Sequence, residues 1–357
     1  MKSKRNLFNV AVCLISGIIV AGFVFFSTDL SVLKQHFSAL DLRWIAAALG
    51  LVVLQWLFEG ATFHVMTKPF FSPLTFRKSF ELQMGGLYFN AITPFATGGQ
   101  PFQAYSMTRM GMDLGDAMSV LLSKFLVYQA WVVGVSTAFL VTQYSFFTRE
   151  IAPVLREATG GLDLSFLLWI GYIINTVVFL IALVLAVFPN VSKKFAAFFI
   201  WILGKMRFLK DPKKTKAYFD EKLENCGKGF QFLIHNPSVL IRSSVTTILY
   251  LLSYVAVPYT LYRAFDLSLG AAGHFSLFAV MGAEAFVMLV SSFFPLPGAS
   301  GGAEAIFYFI FLHFFAHNDD LTKVAMILWR IITFYLTIAV GVFFVVRTNR
   351  SNKKAPQ

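Results

Sequence analysis

The sequence predicts an all-α polytopic membrane protein made of two inverted-topology repeats. Each repeat runs span, span, re-entrant hairpin, span, with amphipathic cytoplasmic helices between the two. Three observations lead there. Of the 357 residues, 57% are apolar and 13% are charged, about half the charged share of an ordinary soluble domain. Apolar runs long enough to cross a bilayer recur along the chain. Two further apolar stretches are broken by Pro and Gly at motifs that match each other. The same composition excludes a soluble domain of this size. Two cysteines, Cys13 and Cys226, exclude a disulfide scaffold. The net charge of +12 comes from Lys and Arg clustered in loops, which is not a nucleic-acid-binding distribution.

The predicted spans are residues 8–27, 43–66, 117–142, 163–188, 237–262 and 323–346. The first follows Lys2, Lys4 and Arg5, as a signal peptide would. Its apolar core is too long for one, and no small-residue cleavage site follows, so it reads as a retained span. Basic residues set the orientation. Segments 1–7, 67–78, 109–116, 190–236 and 347–357 hold 21 of the Lys and Arg residues. The alternate loops hold six: Lys34, Arg43, Arg149, Arg156, Arg263 and Lys323. Both termini are therefore expected in the cytoplasm. Segment 190–236 carries Phe195, Phe198, Phe199 and Ile202 at helical spacing beside Lys193 and Lys194, then a second amphipathic stretch after Pro212. This suits helices in the headgroup region, serving either as topology signal and anchor or to attract anionic lipid.

Stretches 78–109 and 272–316 begin and end on one side of the membrane under this orientation, so each is expected to enter and turn back. Their centres read Pro94-Phe95-Ala96-Thr97-Gly98-Gly99 and Pro297-Gly298-Ala299-Ser300-Gly301-Gly302. An acid stands thirteen residues before each proline, at Glu81 and Glu284, and a span with an internal base follows each hairpin, at Lys124 and Arg330. The approach directions are opposite, as in the inverted repeats with which many secondary transporters build a site at the bilayer midplane. Pro and Gly free backbone polar groups, tolerated in hydrocarbon only within protein or a wet cavity. Helix starts after Gly99 and Gly302 would then offer N–H groups and positive dipole ends to an anion such as a phosphate headgroup. The alternative is that the glycines serve close helix packing alone.

Six ionisable residues, Glu59, Glu81, Lys124, Glu284, Glu304 and Arg330, fall inside apolar segments. Each costs about 2.5–3.5 kcal/mol at mid-bilayer on insertion scales, so each should pair or face a cavity. Glu304 either caps the return helix of the second hairpin or binds a cationic headgroup or a proton. Lys124 and Arg330 either neutralise a phosphate or pair with Glu81 and Glu284. Glu59 and Glu81 also suit interfacial positions. No metal-ligand spacing, cofactor motif, nucleophile elbow or phosphate-binding loop is present in the sequence. A membrane-embedded enzyme with scattered acids remains a rival to a transporter.

The segments Phe89-Asn90-Ala91-Ile92-Thr93-Pro94-Phe95-Ala96-Thr97-Gly98-Gly99-Gln100-Pro101 and Pro295-Leu296-Pro297-Gly298-Ala299-Ser300-Gly301-Gly302-Ala303-Glu304 resemble the lysylphosphatidylglycerol synthase transmembrane family. That family includes the flippase half of the bacterial multiple peptide resistance factor. The resemblance extends to about residue 346. It implies a lipid translocase in a bacterial cytoplasmic membrane, moving phospholipids such as aminoacylated phosphatidylglycerol and contributing to resistance to cationic antimicrobial peptides. The rival function in this setting is an enzyme, or enzyme subunit, of aminoacyl-lipid or polyprenol-glycolipid synthesis. A lipid-binding scaffold is a third.

Two departures stand out. Where the family often has Gly-Glu-x-x-Arg, this chain has Gly99-Gln100-Pro101-Phe102-Gln103, neutral at both charged positions. Nothing in it resembles the soluble aminoacyl-transferase domain of two-domain members, so lysyltransferase activity is not expected. The expected headgroup cavity comprises Glu81, Asn90, Pro94, Gly98, Gly99, Gln100, Gln103, Lys124, Glu284, Pro297, Gly298, Gly301, Gly302, Glu304 and Arg330. Repeats of 1–150 and 151–346, then a basic tail 347–357, complete the expected organisation. Expected partners are anionic or aminoacylated phospholipids, with a second copy of the chain or a separate synthase as further candidates. Neutralising Glu304 is expected to stop transport without unfolding the protein.

Overall fold

The computed structural model describes residues 37–38, 40–153, 156, 165–188, 190–191, 194, 197–198, 231–265, 275–292 and 294–353. The expected first span and most of the cytoplasmic segment 190–236 lie outside the described residues. The described elements are helical throughout: α1 Leu42–Thr67, α2 Phe76–Ala91, α3 Gly99–Arg109, α4 Leu114–Phe146, α5 Ser165–Val187, α6 Pro237–Ala264, α7 Leu277–Ser291, α8 Gly302–Phe314, α9 Asp319–Arg330 and α10 Leu336–Lys353. One π turn, Phe147–Ile151, extends α4, and another, Ile331–Tyr335, joins α9 to α10.

Five segments are long and apolar enough to cross a membrane: Leu42–Thr67, Leu114–Ile151, Trp169–Val187, Pro237–Ala264 and Asp319–Thr348. They correspond to the second through sixth expected spans, with ends shifted by up to nine residues. The last begins earlier than its hydropathy suggests, because Asn318 caps α9 at the Leu321 N–H, 3.0 Å away. Lys323, expected in a loop, is buried in the first turns of that helix, with its Nζ 2.6 Å from Asp319. The other starts also follow local chemistry. Asp41, Thr75, Asp113 and Ser276 each accept a backbone N–H of the first turn of α1, α2, α4 and α7, and Pro237 opens α6, where a missing N–H costs nothing.

Stretch 78–109 becomes α2, a tight turn at Pro94–Ala96, and α3. Glycine lets the two helices close on each other. A Cβ on Gly85 would stand 2.4 Å from the Phe102 ring, and one on Gly99 would stand 2.6 Å from the Gly86 carbonyl. Stretch 272–316 likewise becomes α7, a turn at Pro297–Ala299, and α8. Here Gly298 and Gly301 adopt φ of 62° and 85°, the left-handed region that a Cβ disfavours.

The halves interlock. Helix α1 lies along α6, α2 along α10, α7 along α4, and the two turns touch each other. The main core lies among α6, α7, α8 and α9, where Phe307 stacks on Phe311 at 4.2 Å and on Trp329 at 4.6 Å. Outward faces stay apolar, as on α5, where Ile173, Val177 and Ile181 are exposed. Exposed apolar helix faces of this kind suit lipid rather than water.

Candidate functional site

A cavity of about 500 Å³ lies between the two turns, walled by residues of all ten helices named above. Two ion pairs mark its ends.

At one end, α4 carries Lys124 toward α1 and α2. Its Nζ donates to Gln83 Oε1 at 2.7 Å and to Glu59 Oε1 at 3.3 Å. Gln103 of α3 donates its Nε2 to the same Gln83 oxygen at 2.8 Å. Three helices thus meet at one amide oxygen, and Lys124 adds α1 through Glu59.

At the other end, Arg330 of α9 donates Nε to Glu304 Oε1 at 2.7 Å and Nη2 to the Gly298 carbonyl at 2.9 Å. Its guanidinium lies 5.0 Å from the Trp329 ring and 4.8 Å from the Phe334 ring, within cation–π range. The second Glu304 oxygen accepts the Gly301 N–H at 2.8 Å. One buried carboxylate therefore caps α8 and holds Arg330 against the turn.

A third polar cluster closes the side wall. Gln129 of α4 donates to the Asn175 backbone and side-chain oxygens, both at 3.0 Å. Asn175 of α5 donates to Ser292 Oγ at 3.1 Å, at the end of α7. All three residues line the cavity.

Of the residues expected from sequence, Asn90, Gln100, Gln103, Lys124, Gly298 and Arg330 line this cavity. Pro94, Gly98, Gly99, Pro297, Gly301, Gly302 and Glu304 form the turns and helix starts that frame it. The first helix start presents no empty cradle of N–H groups, and at the second one N–H is already taken. Asn90 Oδ1 accepts the Gly99 N–H and Thr93 Oγ1 the Gly98 N–H, each at 2.8 Å, Pro101 has no N–H, and Glu304 takes the Gly301 N–H.

The alternative in which Lys124 pairs with Glu81 and Arg330 with Glu284 is corrected: the partners are Glu59 and Glu304. Glu81 is off the cavity wall, bound at 2.9 Å by both Lys78 and Arg347, with Arg77 at 3.4 Å. Helix α10 continues through this pairing to Lys353, so the expected tail at 347–357 begins inside a helix. Glu284 is fully buried on α7, off the wall, facing the Trp329 side chain.

Residues that sequence reasoning missed are Gln83, Gln129 and Asn175, together with Tyr128, Tyr250 and Tyr254 on the same wall. An amide within an apolar helix was the available signal, because a buried polar group needs a partner. Glu59 was visible as an intramembrane acid; its partner was not.

Residues 12–341 match the family described as the lysylphosphatidylglycerol synthase TM region. The chain is also similar to a UPF0104 membrane protein of Archaeoglobus fulgidus, 24% identical over 302 residues, covering 83% of this chain and 84% of the relative.

Proposed function

Because this chain belongs to the lysylphosphatidylglycerol synthase transmembrane family, we propose that it is a phospholipid translocator whose polar headgroup site is the cavity between the two turns. The observation that carries this reading is a cavity whose partly polar wall holds the Lys124–Glu59 pair and the Arg330 of the Arg330–Glu304 pair, inside a bundle with apolar outer faces. A headgroup finds charge and hydrogen bonds there, while acyl chains stay against lipid-facing helices. On this reading the two halves form an inverted repeat, with 78–109 and 272–316 as re-entrant hairpins. The reciprocal packing of α2 on α10 and of α7 on α4, and the contact between the turns, support that arrangement. The halves rock about the cavity, as in transporters built from inverted repeats. Both termini face the cytoplasm of a bacterial cell membrane.

The test is lipid sidedness in proteoliposomes, with aminoacylated phosphatidylglycerol beside unmodified phospholipids and Lys124→Gln as the control. Lipid movement that the control loses is the expected result. No movement of any lipid by folded protein would refute the reading, and headgroup turnover by the purified chain would replace it with an enzyme.

A further inference from the structure

We propose that Gln83 and Gln103 form a hydroxyl-reading subsite, and that the cavity selects a phosphate-linked polyol headgroup over one bearing an ammonium group. The inference rests on the cavity's being a headgroup site, as proposed above.

The orientation of both amides follows from Lys124. An ammonium only donates, so the Gln83 atom 2.7 Å from Lys124 Nζ is its oxygen. The Gln103 atom 2.8 Å from that oxygen must then be its NH₂. These bonds use the Gln83 oxygen and the Gln103 NH₂, so the Gln83 NH₂ and the Gln103 carbonyl oxygen remain for a ligand, and both side chains line the cavity. A donor thus stands beside an acceptor. A hydroxyl both accepts and donates, and so satisfies the two together. An ammonium would satisfy Gln103 but would face the Gln83 N–H groups and the positive charge of Lys124. A trimethylammonium satisfies neither.

The rest of the cavity fits the same chemistry. Arg330 uses two of its N–H groups on Glu304 and Gly298, and a guanidinium has five, so donors remain for a phosphate. Glu59 is the carboxylate on the described wall, and Lys124 already binds it. No other lining acid is there to receive an ammonium. Gly86 completes the subsite, since a Cβ at that position would stand 2.5 Å from Gln103 Nε2.

The experiment places purified full-length protein in phosphatidylcholine nanodiscs. Native mass spectrometry then reads retention of phosphatidylglycerol, lysyl-phosphatidylglycerol and phosphatidylethanolamine in wild type, Gln103→Leu and Gln103→Glu. Wild type is expected to retain phosphatidylglycerol about fivefold to tenfold over the other lipids, the worth of about one net hydrogen bond. Gln103→Leu should lose that selectivity, and Gln103→Glu, which presents only acceptors, should shift it toward the lysyl lipid. Equal retention of all lipids by folded wild type, a wild-type preference for the lysyl lipid, or unchanged selectivity in Gln103→Leu would each overturn the proposal. Glycerol 3-phosphate supplies the same chemistry without acyl chains. Its failure to displace bound phosphatidylglycerol supports a lipid as the source, and displacement at comparable concentration overturns that assignment. Binding is read at equilibrium, so selective binding without lipid movement would refute translocation while leaving the subsite standing.

Discussion

Replacing Glu304 with Gln leaves Arg330 buried without its counterion. The two side chains are 6% and 7% exposed and 2.7 Å apart, so water recovers little of the lost interaction. Breaking such a buried pair from one side costs about 3–5 kcal/mol. Part of the structure survives, because Gln can still accept the Gly301 N–H and so preserve a cap worth about 1 kcal/mol. Arg330 also keeps the Gly298 carbonyl and its two aromatic neighbours. Glu304→Gln is therefore expected to destabilise by about 3 kcal/mol, which revises the expectation of a loss confined to transport. Arg330→Met, which strands the carboxylate, should cost at least as much. The double variant should cost less than the two together by about 2 kcal/mol or more, since it leaves no orphaned charge. Equilibrium unfolding in mixed micelles measures all four corners of the cycle. Costs that add to within about 0.5 kcal/mol would show that the two residues act independently, against the reasoning from their geometry.

Other perturbations separate packing from recognition. Gly86→Ala would meet the amide end of Gln103 rather than backbone. Displacing that amide from its buried bond to Gln83 should cost about 1–3 kcal/mol and abolish the lipid selectivity expected of the Gln83–Gln103 pair; intact selectivity would count against that pair. Asn175→Leu removes the link between α4, α5 and the end of α7. A cost of about 1 kcal/mol is expected, with faster hydrogen exchange in α5, and unchanged exchange would show that apolar packing alone holds this helix. Cysteines placed one in each turn, scanned over 95–97 and 298–300 in a chain lacking Cys13 and Cys226, should crosslink, because the turns touch. Consistent failure would separate the turns and remove the cavity between them.

The helices were legible because their causes are local. Apolar runs near bilayer length marked α1, α4, α5, α6 and the α9–α10 segment. Pro94 and Pro297 with the paired glycines marked the breaks, since a missing N–H and, at Gly298 and Gly301, left-handed backbone act within a few residues. The cost of charge in hydrocarbon also singled out Glu59, Lys124, Glu304 and Arg330 as residues needing partners or a cavity. Which partner each took was not local. Lys124 reaches Glu59 across 65 positions and Arg330 reaches Glu304 across 26, distances that no periodicity encodes. The same holds for Gln83, Gln129 and Asn175, whose amides look incidental until neighbouring helices surround them. Glu81 and Glu284 occupy equivalent places in the two motifs, yet one is clamped by Arg347 from the end of α10 and the other is sealed on α7. Sequence by itself determined the membrane class, the helices and the two breaks, because these follow from hydropathy and backbone chemistry along the chain. Only the tertiary structure decided the pairings and the cavity, because these depend on which helix faces meet.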